Sequence, residues 1–248
     1  MKRLVTYSLL ALLTACAPSN SAEQRYVLAI SWQPAFCETR SKVRECKSQH
    51  AGRADARQFS LHGLWPQPVS KAYCGVPEGR VSLDKSGQWR RIEMDRLPPE
   101  LWNRLKIAMP GTMSGLERHE WIKHGTCLEG ATAETYFDAS LALLDAINVS
   151  PLRDLFAGNV GGELTGRQIR RAFDNAFGDG AGERVRIACK RDGDRRLINE
   201  LTISLSTDLA GGLSTMTGDG IDLAKLIAAA PKTDPGCPGG VVDPVGLQ

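Results

Sequence analysis

Seven cysteines, spaced from Cys16 to Cys237, constrain this 248-residue chain more than any other feature. Ahead of them, Lys2 and Arg3 precede an apolar run over 9–13, and residues 1–15 read together as an export signal. The run is too short to span a bilayer, and no later stretch stays apolar for the ~20 residues a spanning helix needs. A chain sent to an oxidising compartment closes its thiols into disulfides, so the fold must bring distant segments together in pairs.

Leu13-Thr14-Ala15-Cys16 resembles a bacterial lipoprotein cleavage box. Cleavage there makes a lipid-bearing Cys16 the first residue of a polar tether over 16–23. It also leaves an even six cysteines: Cys37, Cys46, Cys74, Cys127, Cys189 and Cys237. Ordinary signal cleavage near Ala22 is the alternative. Six cysteines allow about 15 pairings, and none of them forms the C-x-x-C spacing of a zinc ribbon, which argues against structural zinc.

The formal charge is +3, and losing Lys2 and Arg3 with the first fifteen residues leaves +1. Bulk charge therefore grips no polyanion, and any anion site has to be local. Length, and the absence of a repeat or a linker, point to one domain over 24–248.

Short β-rich and helical stretches alternate irregularly along it. A core strand over 26–32 stops at Pro34, and Cys37 and Cys46 bracket a polar loop. Residues 58–65 alternate in the manner of a half-buried strand whose polar side carries Ser60 and His62, and Pro66 ends it. Residues 66–96 read as a long surface loop, the usual home of substrate contacts.

Helices are expected from Pro99 to about Met109, over 116–123, over 133–147, and from a Thr165/Gln168 capping arrangement through Phe177. Strands over 185–189 and 197–205 flank a turn at 191–194. A loop over 211–220, a short helix over 221–230 and a Pro/Gly tail over 231–248 close the chain. Helices with separate hairpin-like strands suggest an α+β fold, a central antiparallel sheet flanked by helices.

The chemistry concentrates on histidines, of which there are four: His50, His62, His119 and His124. His119-Glu120-Trp121-Ile122-Lys123-His124 falls on one expected helix, where residues four apart share a face. Glu120 is thus expected beside His124, and His119 beside Lys123. The two histidines are five apart, about 140° around a helix, so the zinc-protease arrangement of histidines four apart is disfavoured. A lone histidine is most often structural, but four chargeable side chains on one turn and a half suit a phosphodiester gaining negative charge. RNA supplies its own nucleophile, the 2′-hydroxyl, so a protein cleaving it needs one base, one acid and cationic donors, and no metal.

Phe59-Ser60-Leu61-His62-Gly63-Leu64-Trp65-Pro66 and His119-Glu120-Trp121-Ile122-Lys123-His124-Gly125-Thr126-Cys127 resemble the two active-site segments of the ribonuclease T2 family. Tyr26 to Pro34 resembles the family's first core strand, and Cys189 with Asn199-Glu200-Leu201 its C-terminal strands, so the likeness spans 24–237.

The resemblance implies endonucleolytic cleavage of single-stranded RNA with little base preference, through a 2′,3′-cyclic phosphate and without metal or cofactor. Carried over by position, His62 and His124 are the acid and base pair, with His124 the base and His62 the acid in the preferred of two orders. Glu120 and Lys123 stabilise the phosphorane-like state, His119 binds phosphate, and Trp65 stacks on a base, with Tyr73 a further aromatic candidate. The implied disulfides are Cys74–Cys127 and Cys189–Cys237, with Cys37–Cys46 a local bridge.

Single-stranded RNA is then the partner of a monomer that meets membrane only through its lipid. The N-terminus departs from the plain secretory signal of many members. Two alternatives stand beside this reading: an inactive RNA- or polyanion-binding protein on the same fold, and a zinc hydrolase using His62, His119 and His124.

Overall fold

The computed structural model describes residues 24–207 and 222–247. The export signal, Cys16, the tether and the loop expected over 211–220 lie outside the described residues. None of the described helices is long and apolar enough to cross a membrane.

In chain order the described elements are β1 (Gln24–Ser31), α1 (Gln33–Thr39), α2 (Arg44–Lys47), β2 (Ser60–Pro66), α3 (Glu78–Lys85), α4 (Pro99–Ala108), α5 (Leu116–Lys123), α6 (Ala133–Asn148), α7 (Pro151–Gly158), β3 (Glu163–Thr165), α8 (Gly166–Phe177), β4 (Val185–Asp192), β5 (Arg195–Thr207), α9 (Leu223–Ala229) and β6 (Gly239–Val241). They form the expected α+β architecture. The strands run β2-β1-β5-β6-β3, with β4 on the remaining edge of β5, and every pairing is antiparallel except the short β5–β6 contact.

β1 lies between β2 and β5, and Leu28, Ala29, Ile30 and Trp32 are wholly buried. α6 crosses β1 and β2 and carries its apolar positions Tyr136, Phe137, Leu141, Leu144 and Ile147 into the same core. Trp32 packs against Phe59 and Phe156 at ring-centroid distances of 5.6 and 5.4 Å, and its indole donates to the Asp243 carbonyl at 2.8 Å. One contiguous cluster of buried apolar side chains links sheet and helices.

The capping box read at Thr165 is present in full. The Thr165 hydroxyl accepts from the Gln168 N–H, and the Gln168 side chain accepts in return from the Thr165 N–H.

Four points differ from expectation. The segment between Cys37 and Cys46 is not all polar loop: α1 runs on to Thr39 and α2 begins at Arg44, and Pro34, read as a strand stop, sits in the first turn of α1, where its missing N–H costs nothing. Residues 66–96 are not a plain loop: they hold α3 and a 3-10 turn, Trp89–Arg91. Residues 151–158, for which no element was expected, form α7, which Pro151 opens behind a Ser150 cap that accepts from the Leu152 N–H. The tail carries β6, which is three residues long and joins the sheet only through distant partners.

The disulfides are Cys37–Cys46, Cys74–Cys127 and Cys189–Cys237, as the resemblance implied. The second ties the segment before α3 to the end of α5 across 53 residues of chain.

Candidate active site

Two elements carry the two quoted motifs, and their backbones are held tightly against each other. On β2 the pairing with β1 slips: Ala29 faces Gly63 and Ile30 faces Leu61, leaving His62 without a partner in a β-bulge. A bulge re-aims the side chain of its extra residue, and here that residue is a histidine. The strict alternation read from the sequence breaks at this point. Just beyond it, the Tyr136 hydroxyl accepts from the Leu64 N–H and donates to the Leu64 carbonyl, both at 3.1 Å, locking the strand to α6.

Gly63 explains how close the two motifs come. A Cβ built there would lie 1.9 Å from Oε2 of Glu120 and 2.7 Å from the Trp65 indole nitrogen. Only a residue without a side chain lets the α5 carboxylate lie over the β2 backbone.

Glu120 is fully buried. Its Oε2 accepts from the Trp65 indole N–H at 2.8 Å, while Oε1 has no hydrogen-bond partner. Two imidazole nitrogens approach that orphan oxygen, Nε2 of His62 at 3.6 Å and Nε2 of His119 at 3.8 Å. Burial raises the Glu120 pKa, against the pull of His62, His119, the Trp65 hydrogen bond and Lys123. That open acceptor is left facing the two imidazoles, whose N–H groups are the donors nearest to it.

Each of those imidazoles is held from behind. His62 sets Nδ1 against Oε2 of Glu200, on β5, at 2.5 Å. His119 sets Nδ1 against both oxygens of Asp84, on α3, at 2.7 and 2.9 Å, and stacks on Trp89 with centroids 4.7 Å apart. Asp84 also accepts from the Tyr73 hydroxyl at 2.8 Å, so Tyr73 braces the support of His119. Trp65 stands between the two outer histidines, 5.2 Å from His62 and 5.5 Å from His124, centroid to centroid.

His124 differs from both. It caps the C-terminus of α5 rather than continuing it, with φ −117° and ψ −50°, and it is buried. Glu120 does lie beside His124, with ligand atoms within 4.8 Å, but its hydrogen bond goes to Trp65 and its open oxygen faces His62 and His119. The pKa of His124 falls to about 3, through burial first and then the positive charges of Lys123, His119 and His62. For His62, burial lowers proton affinity, but the Glu200 hydrogen bond and the charges of Glu120 and Glu200 outweigh burial and Lys123, and the pKa is raised.

The fold thus assembles His62, Trp65, His119, Glu120, Lys123 and His124 around one point, with Tyr73 one layer back. His50 is exposed and elsewhere, its Nδ1 accepting from the Gly52 N–H. Missed in the sequence were Glu200, Asp84 and Trp89; the one available signal for Glu200 was that it is the single carboxylate on an expected strand. An open cavity of about 400 Å³ adjoins His62 and Trp89 and is lined also by Gln33, Arg40, Lys190 and Asn199. His119, Glu120 and His124 each offer one potential ligand atom within 4.8 Å of the others, the one such grouping among the described residues. Nδ1 of His119 is already taken by Asp84, which leaves Nε2 as its open nitrogen.

The model of the ribonuclease T2 family matches residues 24–213. Ribonuclease I of Escherichia coli is 31% identical over 231 residues, which cover 83% of this chain and 85% of that protein. Among solved structures, Japanese pear S3-RNase is similar over 88% of this chain and 98% of its own, with TM-score 0.56 and 17% identity. A ribonuclease MC1 variant in complex with 5′-UMP aligns over 73% of this chain and 87% of its own, with TM-score 0.52 and 19% identity. The two structures share the fold; the family match and the ribonuclease I identity go further, and the chain belongs to the ribonuclease T2 family.

Proposed function

We propose that this protein is an endoribonuclease that cleaves single-stranded RNA by internal transphosphorylation, with His124 as base and His62 as acid. The observation that carries the reading is the opposite proton affinity of two histidines in one site, around a buried carboxylate oxygen that has no partner. Neutral His124 takes the proton of the 2′-hydroxyl, and the 2′-oxygen attacks phosphorus. As the new P–O bond forms, the P–O5′ bond breaks, and the departing 5′-oxygen takes the proton from Nε2 of His62. The products are a 2′,3′-cyclic phosphate and a 5′-hydroxyl end, with His62 now neutral and His124 protonated, ready for the reverse proton movements that hydrolyse the cyclic ester.

Lys123, close to His62 and Glu120, offsets the charge that grows on the phosphoryl oxygens, and His119, held by Asp84, donates its Nε2–H to one of them. Glu120 keeps both imidazoles facing inward. Trp65 supplies a ring on which a base can stack, and Tyr73 acts through Asp84 rather than on the base. None of these steps calls for a metal or cofactor.

The working protein is a single catalytic domain over 24–248, a monomer exported to an oxidising compartment such as the periplasm and held to membrane by lipid on Cys16. Its three disulfides fit that compartment. The mass of the mature N-terminus tests the lipid.

The activity is tested by incubating purified protein, with a strong chelator present, with a single-stranded RNA and with the same oligonucleotide carrying 2′-deoxy sugars. Cleavage of the ribose strand alone, with 2′,3′-cyclic phosphate ends, is expected. Binding without cleavage makes the chain an RNA-binding protein on this fold, and cleavage that the chelator abolishes makes it a metal hydrolase.

A further inference from the structure

Glu200 enters the site from a part of the chain that neither histidine motif contains, 138 residues from its partner His62. Two irregularities of the sheet bring them together. In β2 the bulge leaves His62 unpaired with β1. In β5 the pairing with β4 slips at Asn199, so that Ala188 faces Glu200 and Cys189 faces Ile198. Glu200 pairs with Ser31 on β1, and the contact to His62 therefore reaches across the intervening strand. The slip in β2 falls at His62 itself, and the slip in β5 at Asn199, the residue next to Glu200.

We propose that Glu200 is a positioning residue for the acid step: it fixes His62 with Nδ1–H toward the carboxylate and Nε2–H toward the leaving 5′-oxygen. This rests on the ribonuclease reading above. An imidazole has two nitrogens, and an acid must carry its proton on the one that faces the substrate. A carboxylate at 2.5 Å on Nδ1 fixes the ring orientation and holds the imidazolium form that has a proton to give.

The other groups that bear on His62 come from α5 and its cap: Glu120 at 3.6 Å from Nε2, and the cations or potential cations Lys123, His119 and His124. Arg40, on the chain after α1, and Lys190, on β4, line the cavity that His62 shares, and Trp65 faces its ring edge-on. Among all of these only Glu200 touches Nδ1, and its side chain is mostly buried.

The test compares wild type with Glu200→Gln and Glu200→Asp on two substrates, a dinucleotide and a nucleoside 3′-phosphate ester of p-nitrophenol. The aryl leaving group departs without a proton. Glu200→Gln should lower kcat on the dinucleotide by ~10-fold or more, part of the 10²–10⁴ that a positioned acid supplies, with KM little changed and the alkaline limb of the pH profile moved to lower pH. On the aryl ester the same variant should stay close to wild type, and Glu200→Asp should fall between the two. A histidine NMR titration, assigned with His62→Ala, should show the His62 resonance titrating at lower pH in Glu200→Gln than in wild type.

Equal losses on both substrates, or an unmoved alkaline limb and His62 titration, would overturn the proposal. Should wild type cleave neither substrate, the ribonuclease reading fails instead, and the NMR titration still decides whether Glu200 governs His62.

Discussion

His62 and His124 are the same side chain in the same site, yet the two regions that hold them push their protons in opposite directions. His62 stands on the sheet, about one-third exposed, with a carboxylate on each side of its ring, Glu200 behind and Glu120 in front. His124 stands at the end of a helix, buried, with Lys123 next to it and its pKa lowered to about 3. Acid and base are therefore assigned by surroundings rather than by residue type. A carboxylate against one nitrogen favours the charged ring; desolvation together with neighbouring cations favours the neutral one.

Four variants probe this contrast and its supports. The largest effect belongs to the histidines themselves: His62→Ala and His124→Ala should each lower dinucleotide cleavage by ~10²–10⁴, the usual worth of a positioned acid or base. With a p-nitrophenyl leaving group His62→Ala should recover most of its loss and His124→Ala none. The reverse pattern would exchange their roles.

Gly63→Ala comes next. The backbone there tolerates alanine, but the new methyl would occupy the position of the Glu120 carboxylate, so activity should fall by at least ~10-fold, the general result of misplacing a catalytic group by about 1 Å. Unchanged kinetics in a folded Gly63→Ala protein would remove Glu120 from the account.

Smallest at the site itself is removal of the Cys74–Cys127 bridge by paired serine substitution. It should cost about 2–5 kcal/mol of stability, read as a lower denaturation midpoint, while cleavage at low temperature remains nearly intact.

The contrast also bears on how far the site was legible in sequence. α6 and α8 were legible because their apolar residues recur at helical spacing, and α8 announced its start through Thr165 and Gln168. α3 was not, since in Glu78–Lys85 only Val81 and Asp84 are buried and no periodicity survives. α1 was hidden behind a proline read as a strand stop, and α7 behind a proline that equally well ends a helix.

The motif residues of the site were legible as types, and through family resemblance as roles, but their partners were not. Glu200 and Asp84 lie 138 and 35 residues from the histidines they hold, and only the sheet and the packing of α3 on α5 bring them there. Helical spacing put Glu120 beside His124, as found; it could not show that the small Gly63 also lets that carboxylate lie over β2 and bond Trp65.

The pH dependence follows with its sign. In the proposed mechanism cleavage needs His124 neutral and His62 protonated, so the acid limb should report His124 and the alkaline limb His62, as macroscopic values of a coupled set. The most direct measurement is titration of the individual histidine resonances in the wild-type protein, which has four to assign. The account predicts His62 titrating above its ordinary value of 6.5 and His124 below 6.5, toward about 3. His124 titrating above His62, or both near 6.5, would contradict it.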